Sequence, residues 1–458
     1  MNFDIHNSNN FFFVGIAGTG MSAIAQYLKG IGKEVSGSDR LFAKDNKMLI
    51  QEQFEKMGIQ CHYQDGSGIT SETQVVVVST AIEESNVEYQ KAIHSGITIL
   101  KRSELLAAIS AAKKTIAIGG TSGKSTTTAM VFHILKESGI SPSLMTGAGL
   151  TALQKKGLPG NAWVGESDWL VIESDESDGS IVNYIPEIGV VLNIDRDHKE
   201  YDELIQLFET FKKNTRGKFI VNRNDRLAVK LSHNPAQDFG TGNNAGFLAG
   251  SFKQEGFSIQ FSINNIPFYI PVIGKHNMEN ATAAVAVASA VGVSIEDAAK
   301  AMKTYKGIYR RTQFVGEKNG VYVIDDFAHN PAEVAAAIKS CQLIGKRVFA
   351  WFQPHGYGPL RFMHEELSEK SAETLREQDY LLLSDVYYAG GTVNKDITSG
   401  VVTDAVKAKG KNALLIEDRK NLPQEINKIL QPGDVILLMG ARDPSLGDFA
   451  GEVLEKIK

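Results

Sequence analysis

Cysteine is almost absent from this chain: two residues, Cys61 and Cys341, in 458. They are too few and too far apart for a disulfide scaffold or a cysteine-rich zinc site. An excess of one charge is missing as well. A formal net charge of −5, with 22% charged residues, provides no basic field for nucleic acid or an anionic membrane. No apolar run approaches the ~20 residues that a membrane helix needs, and the opening MNFDIHNSNN lacks the cationic start of a secretion signal. The expectation is a protein of a reducing cytoplasm, monomeric or homodimeric, with no nucleic-acid or membrane partner. Internal repeats and low-complexity segments are lacking too.

What the chain does have is a regular alternation of apolar strand-like runs with helical patterns, in three blocks: 1–111, 112–311 and 312–458. Length alone gives a prior of about three domains. Alternation of this kind predicts the α/β class, as three Rossmann-like or P-loop-like domains with largely parallel sheets.

Residues 113–128 read KKTIAIGGTSGKSTTT: a short apolar strand, a glycine turn, then Gly-Lys-Ser-Thr ahead of a helix predicted over 127–138. Met130, Ile134 and Leu135 share one face of that helix, and Gly139 stops it. Backbone N–H groups of such a turn converge on anionic oxygens, the helix start adds partial positive charge, and Lys124 adds a full one. Ser125 or Thr126 offers a hydroxyl to magnesium. A nucleoside triphosphate is therefore the expected ligand of Gly120, Thr121, Ser122, Gly123, Lys124, Ser125 and Thr126. Ile118 stands where the longer G-x-x-x-x-G-K-[ST] pattern has its first glycine, so this is a shorter form. A plain strand-to-helix connection needs one glycine, not this whole set.

The first block opens with FFFVGI and Gly15-Ile16-Ala17-Gly18-Thr19-Gly20, ahead of a helix carrying Ile24, Leu28 and Ile31. A second strand ends in Ser38-Asp39, and a third, 74–78, is followed by Ser79-Thr80. The pattern is close to a dinucleotide fingerprint. Its glycines fall as G-x-x-G-x-G, however, which makes a nucleotide diphosphate in general a better expectation than NAD. In the second block, strand 169–172 runs into Glu173-Ser174-Asp175-Glu176-Ser177-Asp178. Four acids right after a buried strand, beside the phosphate loop, stand where an α/β sheet presents a magnesium ligand. Strand 189–194 leads into Asp195-Arg196-Asp197-His198. A lone histidine is most often structural, but at this sheet edge His198 is a candidate metal or phosphate contact. Asn277 and Asn280 precede an alanine-rich helix, 281–291. One asparagine there reads as an N-cap, whereas two carboxamides at a helix mouth can also read a base or ribose.

In the third block, strand 321–324 ends in Asp325-Asp326-Phe327-Ala328-His329-Asn330-Pro331 and strand 347–352 in Gln353-Pro354-His355. Strand 380–383 ends in Ser384-Asp385, and strand 434–439 in Gly440-Ala441-Arg442-Asp443. Nearly every polar cluster thus falls at the C-terminal edge of a strand, the binding edge of open α/β sheets.

Taken in order, GGTSGKSTTT, VIESDESDGS, NIDRDH, GKHNMENA, YRRTQ and DDFAHNP resemble the motifs of the Mur ligases over essentially the whole chain. These are the ATP-dependent amide-forming enzymes of peptidoglycan precursor synthesis. VGIAGTGMSAIA, VSGSD and VVVVSTAI resemble the members that join L-alanine to UDP-N-acetylmuramate, with those that attach a recycled tripeptide next nearest. The resemblance implies a first domain, 1–111, that holds the UDP-sugar through Gly18, Thr19, Gly20, Ser38, Asp39, Ser79 and Thr80. It implies a central ATP domain, 112–311, and a third, 312–458, that closes over them with the amino acid. The substrate carboxylate would attack the γ-phosphate of ATP, and the acceptor amine would open the resulting acyl phosphate to an amide. Lys124 would serve the phosphates, Ser125, Glu173 and His198 the magnesium, and Asn277 and Asn280 the nucleotide. Arg311 and Asp326 match residues that bring the third domain onto ATP. His329 and His355 match positions facing the phosphate and the amine, with His355, Arg361 and Arg442 toward the amino acid. The implied catalytic set is Lys124, Glu173, His198, His329 and His355.

The chain departs from the family pattern at the acceptor. Gly356 and Pro359 stand where the L-alanine enzymes carry arginines for the amino-acid carboxylate, leaving Arg361 and, on a neighbouring loop, Arg442. Glycine does not replace a bidentate arginine. Ser122 stands where those enzymes have histidine, a neutral change because the backbone grips the phosphate. Lys212 and Lys213 lie near the region where some relatives carbamylate a lysine, at a different spacing. The residues therefore leave the acceptor open among L-alanine, another small amino acid and a peptide. Two other classes remain: a dehydrogenase, disfavoured by the glycine order, and a non-catalytic nucleotide-binding protein, disfavoured by Lys124, Glu173, His198 and Asp326 together.

Overall fold

The computed structural model describes residues 3–42, 47–195, 199–242, 244–388 and 394–458; His198 lies outside them. The chain divides into two compact units. The first takes the residues up to 250 with 262–268 and 279–306, and the second takes 251–261, 269–278 and 307–458.

Runs such as Phe11-Phe12-Phe13-Val14 and Val75-Val76-Val77-Val78 are buried on both faces, as strands of a covered parallel sheet must be. In the first unit, β1 (Asn10–Val14), β2 (Glu34–Ser38), β3 (Gln60–His62), β4 (Val75–Val78) and β5 (Thr98–Lys101) are all parallel, in the order β3-β2-β1-β4-β5. The order reverses between β1 and β4, which opens a crevice at their C-terminal ends. A second sheet follows, of β6 (Lys114–Gly119), β7 (Ser143–Met145), β8 (Ala162–Trp163), β9 (Trp169–Glu173), β10 (Ile188–Val191) and β11 (Lys218–Val221). Its order is β11-β10-β6-β9-β7-β8, and β8 alone runs antiparallel. One continuous core joins Phe13 and Leu28 to Leu170, Ile172 and Phe208. Each such side chain contributes about 1.5–3 kcal/mol on full burial. The helix Thr19–Gly30 is tied down by Asn161, whose Nδ2 donates to Thr19 O at 2.8 Å while its Oδ1 accepts from Gln26 Nε2 at 2.8 Å.

Two boundaries differ from the sequence reading. The helix after the phosphate loop spans Lys124–Glu137, three residues earlier than predicted, because Gly123 takes φ 87° and turns the chain directly into it. The helix Lys275–Ala290 already contains Asn277 and Asn280, so Asn280 is not an N-cap. A four-stranded sheet that the sequence reading passed over comprises β12 (Phe239–Gly240), β13 (Phe247–Glu255), β14 (Ser258–Ile263) and β15 (Ile266–Ile270), in that order.

The second unit carries β16 (Gln313–Lys318), β17 (Val321–Asp326), β18 (Val348–Gln353), β19 (Tyr380–Leu383), β20 (Asn412–Leu415) and β21 (Val435–Gly440). Their order is β16-β17-β21-β18-β19-β20, parallel apart from β16. Alternate residues feed two cores: Ile324, Ala350, Phe352 and Leu437 on one face, Val323, Trp351, Ile436 and Leu438 on the other. The α/β class with largely parallel sheets is thus the observed one. No helix among the described residues is long and apolar enough to cross a membrane.

Candidate active site

β6 delivers the loop 120–125 to a helix start, and Lys124 folds back over that loop. Its Nζ donates to Gly120 O at 2.8 Å and to Glu176 Oε2 at 2.9 Å. Only 16% of the lysine side chain and 6% of the glutamate side chain are exposed. Burial works against the ammonium, but Glu176, Asp175 and Glu173 outweigh it and hold Lys124 above its ordinary pKa. Lys124 is therefore kept charged by a protein carboxylate. Ser122 N donates to Asn193 Oδ1 at 2.8 Å and Asn193 Nδ2 returns a bond to Ser122 O at 2.9 Å, clamping the loop. Asn280 accepts from Thr127 Oγ1 at 3.3 Å, and its Oδ1 lies 2.6 Å from where a Cβ on Gly123 would be. The carboxamide thus presses on the loop itself, where only glycine fits.

Replacing Glu176 by glutamine removes a competitor for Lys124. A nonhydrolysable ATP analogue should then bind roughly tenfold tighter by calorimetry; unchanged or weaker binding would contradict this competition.

Each of the four acids within 173–178 has its own partner, which a solvated charge run would not show. Glu173 Oε1 accepts from Gly147 N at 2.6 Å and from the Thr146 hydroxyl. Asp175 Oδ1 accepts from Ser177 N at 3.0 Å, Glu176 holds Lys124, and Asp178 Oδ2 accepts from Arg102 Nη2 at 2.8 Å. Burial raises the Asp175 carboxyl, yet Lys124 and Ser177 bring it below its ordinary value. Gly18, Thr19, Gly20 and Ser79 line a cavity of about 330 Å³ together with Glu173 and Asp175. The switch-point crevice of the first sheet therefore opens toward the acid that ends β9.

Ser38, Asp39 and Thr80 do not line this cavity. Ser38 Oγ donates to the buried Glu88, whose carboxyl burial pushes up to about 7. Asp39 accepts from Ala17 N and Leu41 N, each at 3.0 Å. These two residues shape the glycine loop from behind.

In the second unit, His329 and His355 come together with ring centroids 5.5 Å apart. His329 Nδ1 lies 3.0 Å from Glu333 Oε2, and the Asp326 carboxylate accepts from Thr312 N at 2.5 Å and Ala328 N at 2.7 Å. Burial raises Asp326. Arg311 lies over the Phe327 ring, 4.8 Å from its centroid. Its neighbour Arg310, not singled out from sequence, is the anchored one: Nε to Asp325 Oδ2 at 2.9 Å and Nη2 to Gly440 O at 2.9 Å. Arg361 is paired with Asp396, and Arg442 is exposed at φ 63° after β21. Arg419, also unforeseen, lines a cavity of about 440 Å³ with Gln353, Tyr387 and Asp443, donating to Asp443 Oδ2 at 2.6 Å. In sequence it is one charge in an ordinary EDRK turn.

Gly356 sits at φ 84° before the helix Tyr357–Thr374, a backbone region nearly closed to other residues. Gly356→Arg should therefore destabilise the protein by about 1–3 kcal/mol and leave the KM for the acceptor amino acid no lower. Denaturant melts and acceptor titrations check this, and a tighter KM at unchanged stability would contradict it.

Among the described residues no three His, Cys, Asp or Glu side chains gather as a metal cluster. Magnesium needs less: it takes hard oxygens, keeps waters and shares substrate phosphates. The Ser125 hydroxyl and the Glu173 carboxylate are such oxygens: Glu173 ends β9, which pairs with β6, the strand that leads to the loop and the helix carrying Ser125. The donor set fits that ion.

A phosphate loop sharing its sheet edge with a carboxylate-lined cavity defines a nucleotide-binding α/β protein. Three family models match the chain: Mur ligase family, catalytic domain, over residues 10–114; Mur ligase middle domain over 118–288; and Mur ligase, glutamate ligase domain, over 310–442. The chain belongs to the Mur ligase family. A UDP-N-acetylmuramate–L-alanine ligase of Geotalea daltonii is 34% identical over 447 residues, covering 94% of each chain. That of Agrobacterium fabrum is 32% identical over 454 residues, covering 94% of this chain and 93% of the relative. The crystal structure of UDP-N-acetylmuramate–alanine ligase from Thermotoga maritima matches with a TM-score of 0.76 at 24% identity, covering 98% of both chains. A murein peptide ligase from Psychrobacter arcticus matches at 0.68 and 20% identity, covering 98% of this chain and 99% of that one. These two share the fold.

Proposed function

We propose that this Mur ligase joins L-alanine to the carboxylate of UDP-N-acetylmuramate, driven by ATP through an acyl phosphate, as a cytoplasmic step of peptidoglycan precursor synthesis. The observation that carries this reading is the shared edge: a cavity suited to a nucleotide sugar ends on Glu173, whose strand pairs with the strand leading to Lys124. Residues 1–111 would serve the UDP-sugar, 112–311 the ATP and 312–458 the amino acid.

Two anions, the sugar acid and the triphosphate, must approach one another, so charge neutralisation and positioning lower the barrier most. The loop 120–125 grips the phosphates through its backbone, and Lys124 supplies fixed charge once phosphate replaces Glu176 as its partner. Asn280 orients the nucleotide side of the loop. Magnesium on Ser125 and Glu173 would add charge neutralisation at the phosphates. In the second unit, His329, paired with Glu333, and His355 beside it would serve the acceptor amine, and Arg361 and Arg442 would offer charge for its carboxylate. The amine then attacks the mixed anhydride, and the tetrahedral intermediate collapses to amide and phosphate. Holding these partners together is worth ~7–11 kcal/mol.

Relatives named for L-alanine, 32–34% identical over nearly the whole chain, support that acceptor despite Gly356. Phosphate release from ATP, measured with UDP-N-acetylmuramate and in turn L-alanine, glycine, L-serine and tripeptide, tests the reading. Release should need both co-substrates and be fastest with L-alanine; release with neither, or a preference for tripeptide, would contradict it.

A further inference from the structure

A second cation, Arg102, lines the cavity in the first unit. Arg102 is the first residue of the helix Arg102–Ala111, directly after β5. Its Nη2 donates to Asp178 Oδ2 at 2.8 Å, the side chain's one hydrogen bond among the described residues. A guanidinium carries five N–H donors, so most of its capacity is unspent. The guanidinium lies across the first turn of the helix Thr19–Gly30, where a Cβ on Gly20 would come within 3.1 Å of Nη1. That helix starts at Gly18 with no capping side chain and no acid in its first turn. Its first N–H groups and its positive end therefore add to the arginine. Arg102, Gly18, Thr19, Gly20 and Ser79 line the 330 Å³ cavity together with Glu173 and Asp175. The lining carries both signs of charge. The helix start and Arg102 call for an anion; Arg102 is offset by Asp178, itself 22% exposed, and at longer range by Asp175.

We infer that Arg102 binds the diphosphate of the sugar nucleotide, with Asp178 as the positioning residue that aims its guanidinium. This assignment rests on the UDP-sugar reading of the cavity. It separates the two phosphate-bearing substrates by cation: Lys124 for the triphosphate, Arg102 for the diphosphate. The loop 173–178 holds both through Glu176 and Asp178.

Calorimetry with UDP and with uridine, in the absence of ATP and amino acid, tests it on the wild type, Arg102→Ala, Arg102→Gln and Asp178→Asn. UDP should bind Arg102→Ala about ten- to a hundredfold more weakly, the range of one charged hydrogen bond, while uridine binding stays unchanged. Asp178→Asn keeps an acceptor oxygen for Arg102 but not the charge that aims it, and should lower UDP affinity by a smaller factor than Arg102→Ala does. Binding of a nonhydrolysable ATP analogue reports that each variant is folded, and Arg102→Gln replaces the alanine variant should that one fail. Wild-type UDP affinity in both Arg102 variants would overturn the inference and leave the UDP-sugar reading standing. Equal losses in Arg102→Ala and Asp178→Asn would overturn it in favour of a purely structural tether. A wild type that binds no UDP would remove the reading beneath it.

Discussion

Lys124→Ala lowers turnover by roughly a hundred- to a thousandfold, the effect of removing one fixed group at a developing anion, while the affinity for UDP-N-acetylmuramate in the absence of ATP stays within about twofold of the wild-type value. The asymmetry follows from placement. Lys124 reaches back over its own loop to Glu176 and does not line the cavity assigned to the sugar nucleotide. The same substitution leaves Glu176 buried without its partner, so the variant loses stability as well. Pairing it with Glu176→Gln should restore the melting temperature without restoring turnover. Steady-state kinetics, calorimetry with the sugar nucleotide and thermal melts give the three readouts. Loss of sugar-nucleotide binding would show that the two substrates do not have separate cations.

Arg310→Ala should destabilise the second unit by about 3–5 kcal/mol, the typical loss when one partner of a buried ion pair is removed. Only 7% of the Arg310 side chain and 3% of the Asp325 side chain are exposed. The loss should also depend on pH. Burial lifts Asp325 to about 6 even with Arg310 beside it, against an ordinary value of 3.8. A folded-state pKa above the unfolded one means that this carboxyl's contribution to stability falls as pH rises from about 4 to about 6. Without Arg310 the folded-state value climbs further, so the deficit is larger at pH 8 than at pH 5. Arg311→Ala removes a guanidinium that rests on Phe327 and offsets the buried Asp326 and Glu333 carboxylates without a bidentate pair of its own, and should cost less than Arg310→Ala. Urea unfolding of the full chain at both pH values compares the two. Equal effects of the two substitutions, or a larger deficit at pH 5, would contradict the anchoring role of Arg310.

The contrast between these two arginines shows what a linear reading reaches. YRRTQ marks the pair, but only the backbone decides which one turns inward: Arg310 at φ 55° faces Asp325 and Gly440, and Arg311 lies on a ring. The parallel sheets were legible because FFFV, VVVV and VILLM are apolar on both faces. The strands over 247–270 alternate instead, as in SIQFSI, the signature of strands buried on one face only. The phosphate loop was legible because glycines, lysine and hydroxyls are contiguous. Arg102, Thr146 and Gly147 meet Glu173 and Asp178 only after the chain folds, and no local spacing marks them. The acidic run was legible as a group, whereas its division into four separate partnerships was not. Ser38 and Asp39 hold the glycine loop through contacts that no local spacing marks: the Ser38 backbone oxygen accepts from Gly15 N and Ile16 N, and the Asp39 carboxylate accepts from Ala17 N.

Isotope transfer tests the central chemistry most directly. UDP-N-acetylmuramate bearing oxygen-18 in its carboxylate, turned over with ATP and L-alanine, should give inorganic phosphate carrying one labelled oxygen, because the acid attacks the γ-phosphate and loses that oxygen when the amine opens the anhydride. Unlabelled phosphate released alongside the amide, with the displaced labelled oxygen found in AMP or in water instead, would contradict an acyl phosphate route.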